Sequence, residues 1–75
     1  MTQVTLMETW TGGDLRRWRE TIRLSQAELA CLLDVSRRSV VSWESAEAEP
    51  VGRMVVLSCR TIEQHQDEIG AALAA

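Results

Sequence analysis

The sequence predicts an all-α fold, a small bundle of four to five helices, and three observations support that prediction. Only one proline and four glycines occur in 75 residues, so few positions oppose helix formation. Apolar side chains recur every three to four residues in several segments, as in helices that bury one face. Serines precede two of these segments, and serine is favoured at helix N-caps. We expect one domain, because a chain of this length buries only one small core.

The first segment, residues 1–13, is expected to form an N-terminal arm. Val4, Leu6 and Trp10 fall on one side of an alternating pattern. This pattern is compatible with a short strand or with a mobile arm. The remaining residues, 14–75, are expected to form the helical domain.

The first helix is predicted over residues 14–22. Gly12 and Gly13 are expected to break the chain before it, and Asp14 is a suitable N-cap. The apolar stripe that predicts this helix consists of Leu15, Trp18 and Ile22.

Two serine caps predict the second and third helices. Ser25 and Glu28 have the spacing of a capping box, which opens a helix over residues 26–33. Ser36 is the N-cap of the helix that follows. Two short helices joined by a turn of this length form a helix-turn-helix, here at about residues 26–45.

The C-terminal half is predicted to hold one or two more helices. A fourth helix is expected to begin near Val51 or Gly52, after Pro50. A last helix is expected to start at Thr61, with Gln64 as its capping partner, although one long helix is an open alternative. Apolar side chains of this half are expected to form a homodimer interface. Those assigned to the interface are Leu57, Ile62, Ile69 and Leu73.

Charge is distributed unevenly along the chain, whose net charge is −3. Every cation is an arginine. Residues 15–44 hold six arginines against four acids, a net charge of +2, and residues 45–75 hold two arginines against five acids, a net charge of −3. Residues 1–14 carry two acids and no cation. A basic segment inside an acidic chain indicates a local site for an anionic partner.

The stretch QAELACLLDVSRRSVVSWES resembles the helix-turn-helix of the phage-repressor-like (lambda cI/Cro, XRE) family of DNA-binding regulators. The matches lie at fixed offsets and include Gln26, Ala30, Val35, Val40 and the pair Trp43-Glu44. LRRWRETIRLS resembles the family's first helix, in which an arginine, here Arg19, typically forms an ion pair with the glutamate that closes the third helix, here Glu44. The resemblance covers about residues 14–50, and several matches at fixed spacing are more specific than one short motif.

The resemblance implies that the third helix enters the major groove of DNA with its N-terminus first. Arg37 and Arg38 lie in the first turn of that helix, where a guanidinium group reaches the O6 and N7 atoms of guanine. Ser42, one turn after Arg38, is also predicted to contact a base, and Val41 to contact a thymine methyl group.

Contacts with DNA phosphates are expected at the starts of the helices, as the resemblance implies. The residues assigned to these contacts are Gln26, Ser36, Ser39 and Arg16. The loop SAEAEP is acidic, whereas many relatives place basic residues there. Fewer phosphate contacts than in a basic relative are therefore expected.

Several positions depart from the family's pattern. Arg23 and Asp34 stand where the family often has glycine, and Arg23 is the more strained of the two in a left-handed backbone. Cys31 and Leu32 form an apolar patch that is expected to pack against the N-terminal arm or a partner chain. The thiols of Cys31 and Cys59 lack metal-ligand spacing, and we expect them to be reduced and packed.

These patterns indicate a sequence-specific transcription regulator, a dimeric repressor or autoregulator of a small operon that binds a palindromic operator. The alternative is an antitoxin-type or other protein-interaction module with weak DNA binding, which the acidic loop favours. We expect no enzymatic activity, cofactor or metal, since no nucleophile–base set is visible and His65 lacks ligating neighbours. Without a secretory signal or an apolar run of about 20 residues, a soluble cytoplasmic protein is expected.

Overall fold

The structure, a computed structural model, describes residues 8–74. Within that range it is all-α, as predicted, and its helices are α1 (Gly12–Thr21), α2 (Gln26–Leu33), α3 (Arg37–Ser45), α4 (Arg53–Gln64) and α5 (Gln66–Ala74). Residues 8–11 contain no strand, and the described chain shows only an isolated bridge between Thr11 and Pro50. The strand considered at Val4 and Leu6 lies outside the described residues. No helix between residues 8 and 74 is long and apolar enough to cross a bilayer.

Helix α1 begins two residues earlier than the sequence predicts, because Thr11 and not Asp14 is its N-cap. The Thr11 hydroxyl accepts a hydrogen bond from the Asp14 N–H at 3.2 Å, and the Asp14 carboxylate accepts one from the Thr11 N–H at 3.0 Å. This reciprocal pair is a capping box, with Asp14 in its third helical position. The prediction that Gly12 and Gly13 break the chain is wrong, since both lie inside the first turn.

At Gly12 the backbone of α1 lies close to that of α3. Its N–H donates to the carbonyl of Glu49 at 3.0 Å. A methyl group on Gly12 would collide with the carbonyl oxygen of Trp43 and lie 2.6 Å from that of Ala46. Glycine is required here for close approach, not for a break in the chain.

The helix-turn-helix has the boundaries and caps that the sequence predicts. The Ser25 hydroxyl accepts from the Glu28 N–H at 3.0 Å, while the Glu28 carboxylate accepts from the Ser25 N–H at 2.8 Å. The Ser36 hydroxyl accepts from the Ser39 N–H at 3.2 Å. Asp34 ends α2 in the left-handed region at φ 57° and ψ 45°, so the chain turns sharply into α3.

The core lies between the first four helices. Its fully buried side chains are Leu15, Leu29, Val40, Val56 and Cys59. Burial raises the pKa of the Cys59 thiol to about 12, so this thiol is protonated at neutral pH. The expectation that both cysteines are packed is wrong for Cys31, which is an exposed free thiol.

Two helices, not one, follow the acidic loop. The predicted start at Thr61 is wrong, because its hydroxyl donates to the carbonyl of Leu57 at 3.1 Å inside α4. His65 interrupts the helical path with φ −121° and ψ 29°, and α5 begins at the next residue. The predicted capping partner Gln64 is the last residue of α4.

An aromatic and ionic cluster fixes the segment before α1 to α4. The rings of Trp10 and Trp18 have centroids 5.7 Å apart, and the Arg60 guanidinium lies 5.1 Å from the Trp10 centroid. Arg60 forms ion pairs with Glu8 and, at 2.7 Å, with Glu63. The guanidinium group is stabilised by its contact with the indole face and by its ion pairs with the two carboxylates. Residues just before α1 therefore pack on the bundle.

The glycines give a stability prediction with a matched control. Gly12→Ala is expected to lower the free energy of unfolding by about 1–3 kcal/mol, because the new methyl group overpacks the contact between α1 and α3. Gly70→Ala is expected to raise it by about 0.5–1 kcal/mol, since nothing lies within 4 Å of a Cβ at that position in α5. Urea unfolding followed by circular dichroism measures both changes. Equal stability of the two variants would contradict the close approach at Gly12.

Candidate nucleic-acid interface

The first turn of α3 presents two arginines without ionic partners. Arg37 and Arg38 are both exposed. Neither guanidinium forms a hydrogen bond or ion pair with any residue from 8 to 74. In the same range the arginines that do pair with carboxylates are Arg16, Arg17, Arg19 and Arg60. The two guanidinium groups on α3 therefore remain available to an external anion or acceptor.

The other predicted base-contact residues lie one turn further along α3. Side chains four residues apart share a face of a helix, so Val41 follows Arg37 and Ser42 follows Arg38. Ser42 is exposed and Val41 is half-buried. The structure thus brings all four residues onto one strip of α3, which runs along the helix from its N-terminus.

A buried ion pair holds α3 against α1 and α2. Arg19 donates to both carboxylate oxygens of Glu44, at 2.7 and 2.9 Å. A third guanidinium N–H donates to the carbonyl of Leu24 at 2.8 Å, and the Gln26 amide donates to Glu44 at 3.1 Å. Glu44 is only 4% exposed. The Arg19–Glu44 pair that the resemblance implied is therefore present, and Gln26 is tied to it.

The titration of Glu44 reflects two opposing effects. Burial alone would raise the pKa of the carboxyl group, but hydrogen bonds from Arg19 and Gln26 outweigh burial and hold that pKa below its ordinary value of 4.5. The same pairing raises the pKa of Arg19. Both groups are consequently charged at neutral pH. Breaking such a pair by removing one partner leaves a buried charge uncompensated.

Carboxylates of the chain already contact two of the four residues assigned to phosphate binding. Arg16 lies 3.5 Å from Glu20 and 3.7 Å from Glu47, measured between guanidinium nitrogen and carboxylate oxygen. The amide of Gln26 donates to Glu44. The remaining two residues serve the start of α3. Ser36 caps the helix and its hydroxyl lies 3.1 Å from that of Ser39.

An apolar groove runs between the α1–α2 turn and the last two helices, with a volume of about 370 Å³. Its apolar lining consists of Ile22, Leu24, Ile62, Ile69 and Leu73. Of the residues assigned to a dimer interface, Ile69 and Leu73 line the accessible part of this groove. Ile62 is 7% exposed and belongs to the core of the single chain, and Leu57 does not line the groove. Fewer residues are thus available to a partner at this groove than the four that the sequence assigned to the dimer interface.

Sequence reasoning missed a second apolar depression beside the helix-turn-helix. Met54 is 72% exposed and borders a depression of about 270 Å³ with Trp43 and Val35. A signal for it exists in the sequence. Met54, Ser58 and Thr61 have the spacing of one helix face, and the two polar members indicate that this face of α4 is exposed.

Side chains that could hold a metal ion do not cluster in the described part of the chain, where no group of three or more such residues occurs. His65 is exposed, and its Nδ1 lies 3.6 Å from a carboxylate oxygen of Glu68. One carboxylate beside one imidazole is a pair on a helix surface and not a ligand set.

Comparisons with protein-family models, with curated proteins and with solved structures find no match to this chain. What the surface can do chemically follows from its own geometry. Each free guanidinium on α3 offers five N–H donors in a planar fork, which suits two adjacent acceptors on a base edge or a phosphate. The exposed strip of α3 therefore presents two sets of hydrogen-bond donors to acceptors outside the chain.

The ion pair of Glu44 makes folding stability pH-dependent. Its carboxyl pKa is lower in the folded chain than in the unfolded chain, so its contribution is complete above about pH 4.5 and is lost as pH falls through the folded value. Urea unfolding at intervals from pH 7 to pH 3 should show this decline. Glu44→Gln should be less stable at pH 7 and should lose less stability on acidification, since Gln does not titrate. If the free energy of unfolding of the two proteins declined in parallel with pH, the decline could not be assigned to Glu44.

Proposed function

We propose that the protein is a sequence-specific DNA-binding transcription regulator of the phage-repressor-like type. It acts as a homodimeric repressor or autoregulator of a small operon and binds a palindromic operator through the major groove. The role is binding, without catalysis or a cofactor. The observation that carries the proposal is the unpaired state of Arg37 and Arg38 at the exposed start of α3.

The electrostatics of α3 support the proposal that Arg37 and Arg38 bind an anionic partner and are not simply solvated surface residues. The N-terminus of a helix carries a partial positive charge, so a cation placed there is unfavourable by about 0.3–1 kcal/mol. Ser36 and Ser39 are the polar neighbours in this turn, and no acidic residue lies in it. Two uncompensated arginines therefore destabilise the isolated helix slightly. A duplex offsets this effect, because its phosphates and guanine edges accept from guanidinium groups.

The shape of the motif supports docking in the major groove. That groove is about 12 Å wide and admits one α-helix. Helix α3 is held at a fixed angle to α2 by the left-handed Asp34 and by the Arg19–Glu44 pair. With this rigid support, the strip from Arg37 to Ser42 can meet base edges while the start of α2 faces a phosphate row. Each bidentate arginine–guanine contact contributes about 1–3 kcal/mol of base discrimination.

A homodimer is part of the proposal, since one α3 reads only a few base pairs. Two-fold symmetry places two such helices about 34 Å apart, one helical turn of DNA. The groove at Ile69 and Leu73 is the surface we propose for this contact, because it is apolar and accessible and none of its lining residues lies on α3.

A protein-interaction module of antitoxin type is the second candidate. The observations that favour it are the carboxylates at Arg16 and Gln26, which oppose phosphate binding, and the exposed Met54 beside α3. On this alternative the exposed apolar surface contacts a protein and the DNA affinity is weak. Binding to a duplex selected with the protein distinguishes the two candidates.

Arginine removal tests the DNA-binding function. A duplex is first selected from a random library with the wild-type protein, and binding to it and to a scrambled duplex is measured by fluorescence anisotropy across a salt series. Arg37→Ala and Arg38→Ala should each weaken binding to the selected duplex by about ten- to a hundredfold and relax preference at defined base positions. Arg53→Ala is the matched control, since that exposed arginine lies at the start of α4 and lines neither apolar depression. Failure to select a consensus, or equal effects of all three variants, would favour the interaction module.

The proposed dimer surface has its own test. Wild-type protein is expected to sediment as a dimer, and Leu73→Glu is expected to be monomeric because it introduces a charge into the apolar groove. Ala71→Glu on the exposed part of α5 should remain dimeric, since Ala71 does not line the groove. Analytical ultracentrifugation measures all three. Dissociation by Met54→Glu and not by Leu73→Glu would place the interface at the second depression instead.

A further inference from the structure

Arg16 on α1 is one of the residues that the sequence assigns to a phosphate contact, and it has two acidic neighbours. Glu20 lies one turn along the same helix, 3.5 Å away, and Glu47 in the acidic loop lies 3.7 Å away. All three side chains are more than half exposed. One positive and two negative charges leave a local net charge of −1. A phosphate that approaches Arg16 therefore meets repulsion as well as a donor.

The backbone of the acidic loop is held in place beside Arg16. The carbonyl of Glu47 accepts a hydrogen bond from the N–H of Gly13 at 3.1 Å, and the carbonyl of Glu49 accepts from Gly12 at 3.0 Å. Gly13 and Arg16 are three residues apart and so lie on one face of α1. The hydrogen bond that satisfies the N-terminus of α1 consequently also brings the Glu47 side chain to Arg16.

The same carboxylate borders the surface at which phosphate contacts are expected. A shallow polar depression of about 180 Å³ is lined by Arg16, Gln26, Glu44, Ser45 and Glu47. Two of these residues are assigned to phosphate contacts and two are acids. Glu44 is neutralised by Arg19, so Glu47 is the carboxylate of this depression that is open to solvent.

We propose that Glu47 competes with the DNA phosphate backbone for Arg16 and keeps the affinity of each subunit low. This inference rests on the proposed function. An exposed ion pair of this length exchanges readily, so Glu47 and a DNA phosphate can compete for Arg16 without unfolding of the loop. Because its backbone is anchored to Gly13, the Glu47 carboxylate stays beside Arg16 and remains its favoured partner.

The consequence is a regulator whose binding depends on base contacts. Phosphate contacts strengthen binding to every sequence alike, and base contacts by Arg37 and Arg38 strengthen binding to the operator. With the Arg16 contact suppressed, one subunit on arbitrary DNA dissociates quickly, and stable binding requires two subunits on two half-sites.

Removal of the Glu47 charge tests the proposal. Affinities of wild-type protein, Glu47→Gln and Glu49→Gln are measured by anisotropy for the selected and scrambled duplexes between 50 and 200 mM salt. Glu47→Gln should bind both duplexes about three- to tenfold more tightly near 0.1 M salt, with a salt slope steeper by about 0.9, as one added phosphate contact requires. Glu49→Gln removes the same charge from the same loop, and Glu49 has no ion pair with any residue from 8 to 74. It should change affinity by less than about twofold.

A double-mutant cycle separates competition at Arg16 from a general charge effect. In an Arg16→Gln background, Glu47→Gln should give a smaller gain than in the wild type, because the cation for which it competes is absent and only its direct repulsion of the phosphates remains. An equal gain in both backgrounds, or equal gains for Glu47→Gln and Glu49→Gln, would overturn the proposal while leaving the DNA-binding function intact. If neither the wild type nor any of these variants binds a duplex, both the proposed function and this inference fail. Unchanged circular dichroism spectra would show that the exposed substitutions preserve the fold.

Discussion

The arrangement of the first three helices depends on the Arg19–Glu44 ion pair. Glu44 closes α3, Arg19 lies near the end of α1, and the pair also takes in the Leu24 carbonyl and the Gln26 amide. A buried pair of this kind contributes little net stability, since both charges lose hydration, but it tolerates few alternative geometries. Its effect is to fix the direction of α3. The exposed strip that begins at Arg37 has a defined orientation because the opposite end of the helix is held.

Gly12 imposes a second constraint, at the far end of α1. The absence of a side chain lets the first turn of α1 rest on the carbonyls of Trp43 and Ala46. Its N–H and that of Gly13 donate to the acidic loop, which therefore cannot move away from the helix without exposing unpaired donors. The loop serves as a cap for α1 and positions Glu47, so local stability and the charge of the candidate interface are coupled.

The packing of the helices decides which charges of the chain are paired and which are free. The net charge of residues 15–44 is +2, but three of the six arginines are paired with acids and the unpaired ones include both members of the first turn of α3. Under the proposed DNA-binding function, a surface that is weakly attractive to phosphates and offers two free guanidinium forks favours selective binding over general binding. The acidic loop is therefore compatible with the proposed DNA-binding function.

The sequence by itself determined the local features of this protein. Ser25, Ser36 and Asp34 predicted the caps and the turn of the helix-turn-helix, because capping and left-handed turns depend on residues within one helical turn. Tertiary structure decided what depends on distant neighbours. Gly12-Gly13 was predicted to be a break and starts a helix, since its partners lie more than 30 residues away. Packing likewise decided the contact of Glu47 with Arg16, the burial of Ile62 and the exposure of Cys31. Local helix propensity carries no information about such packing.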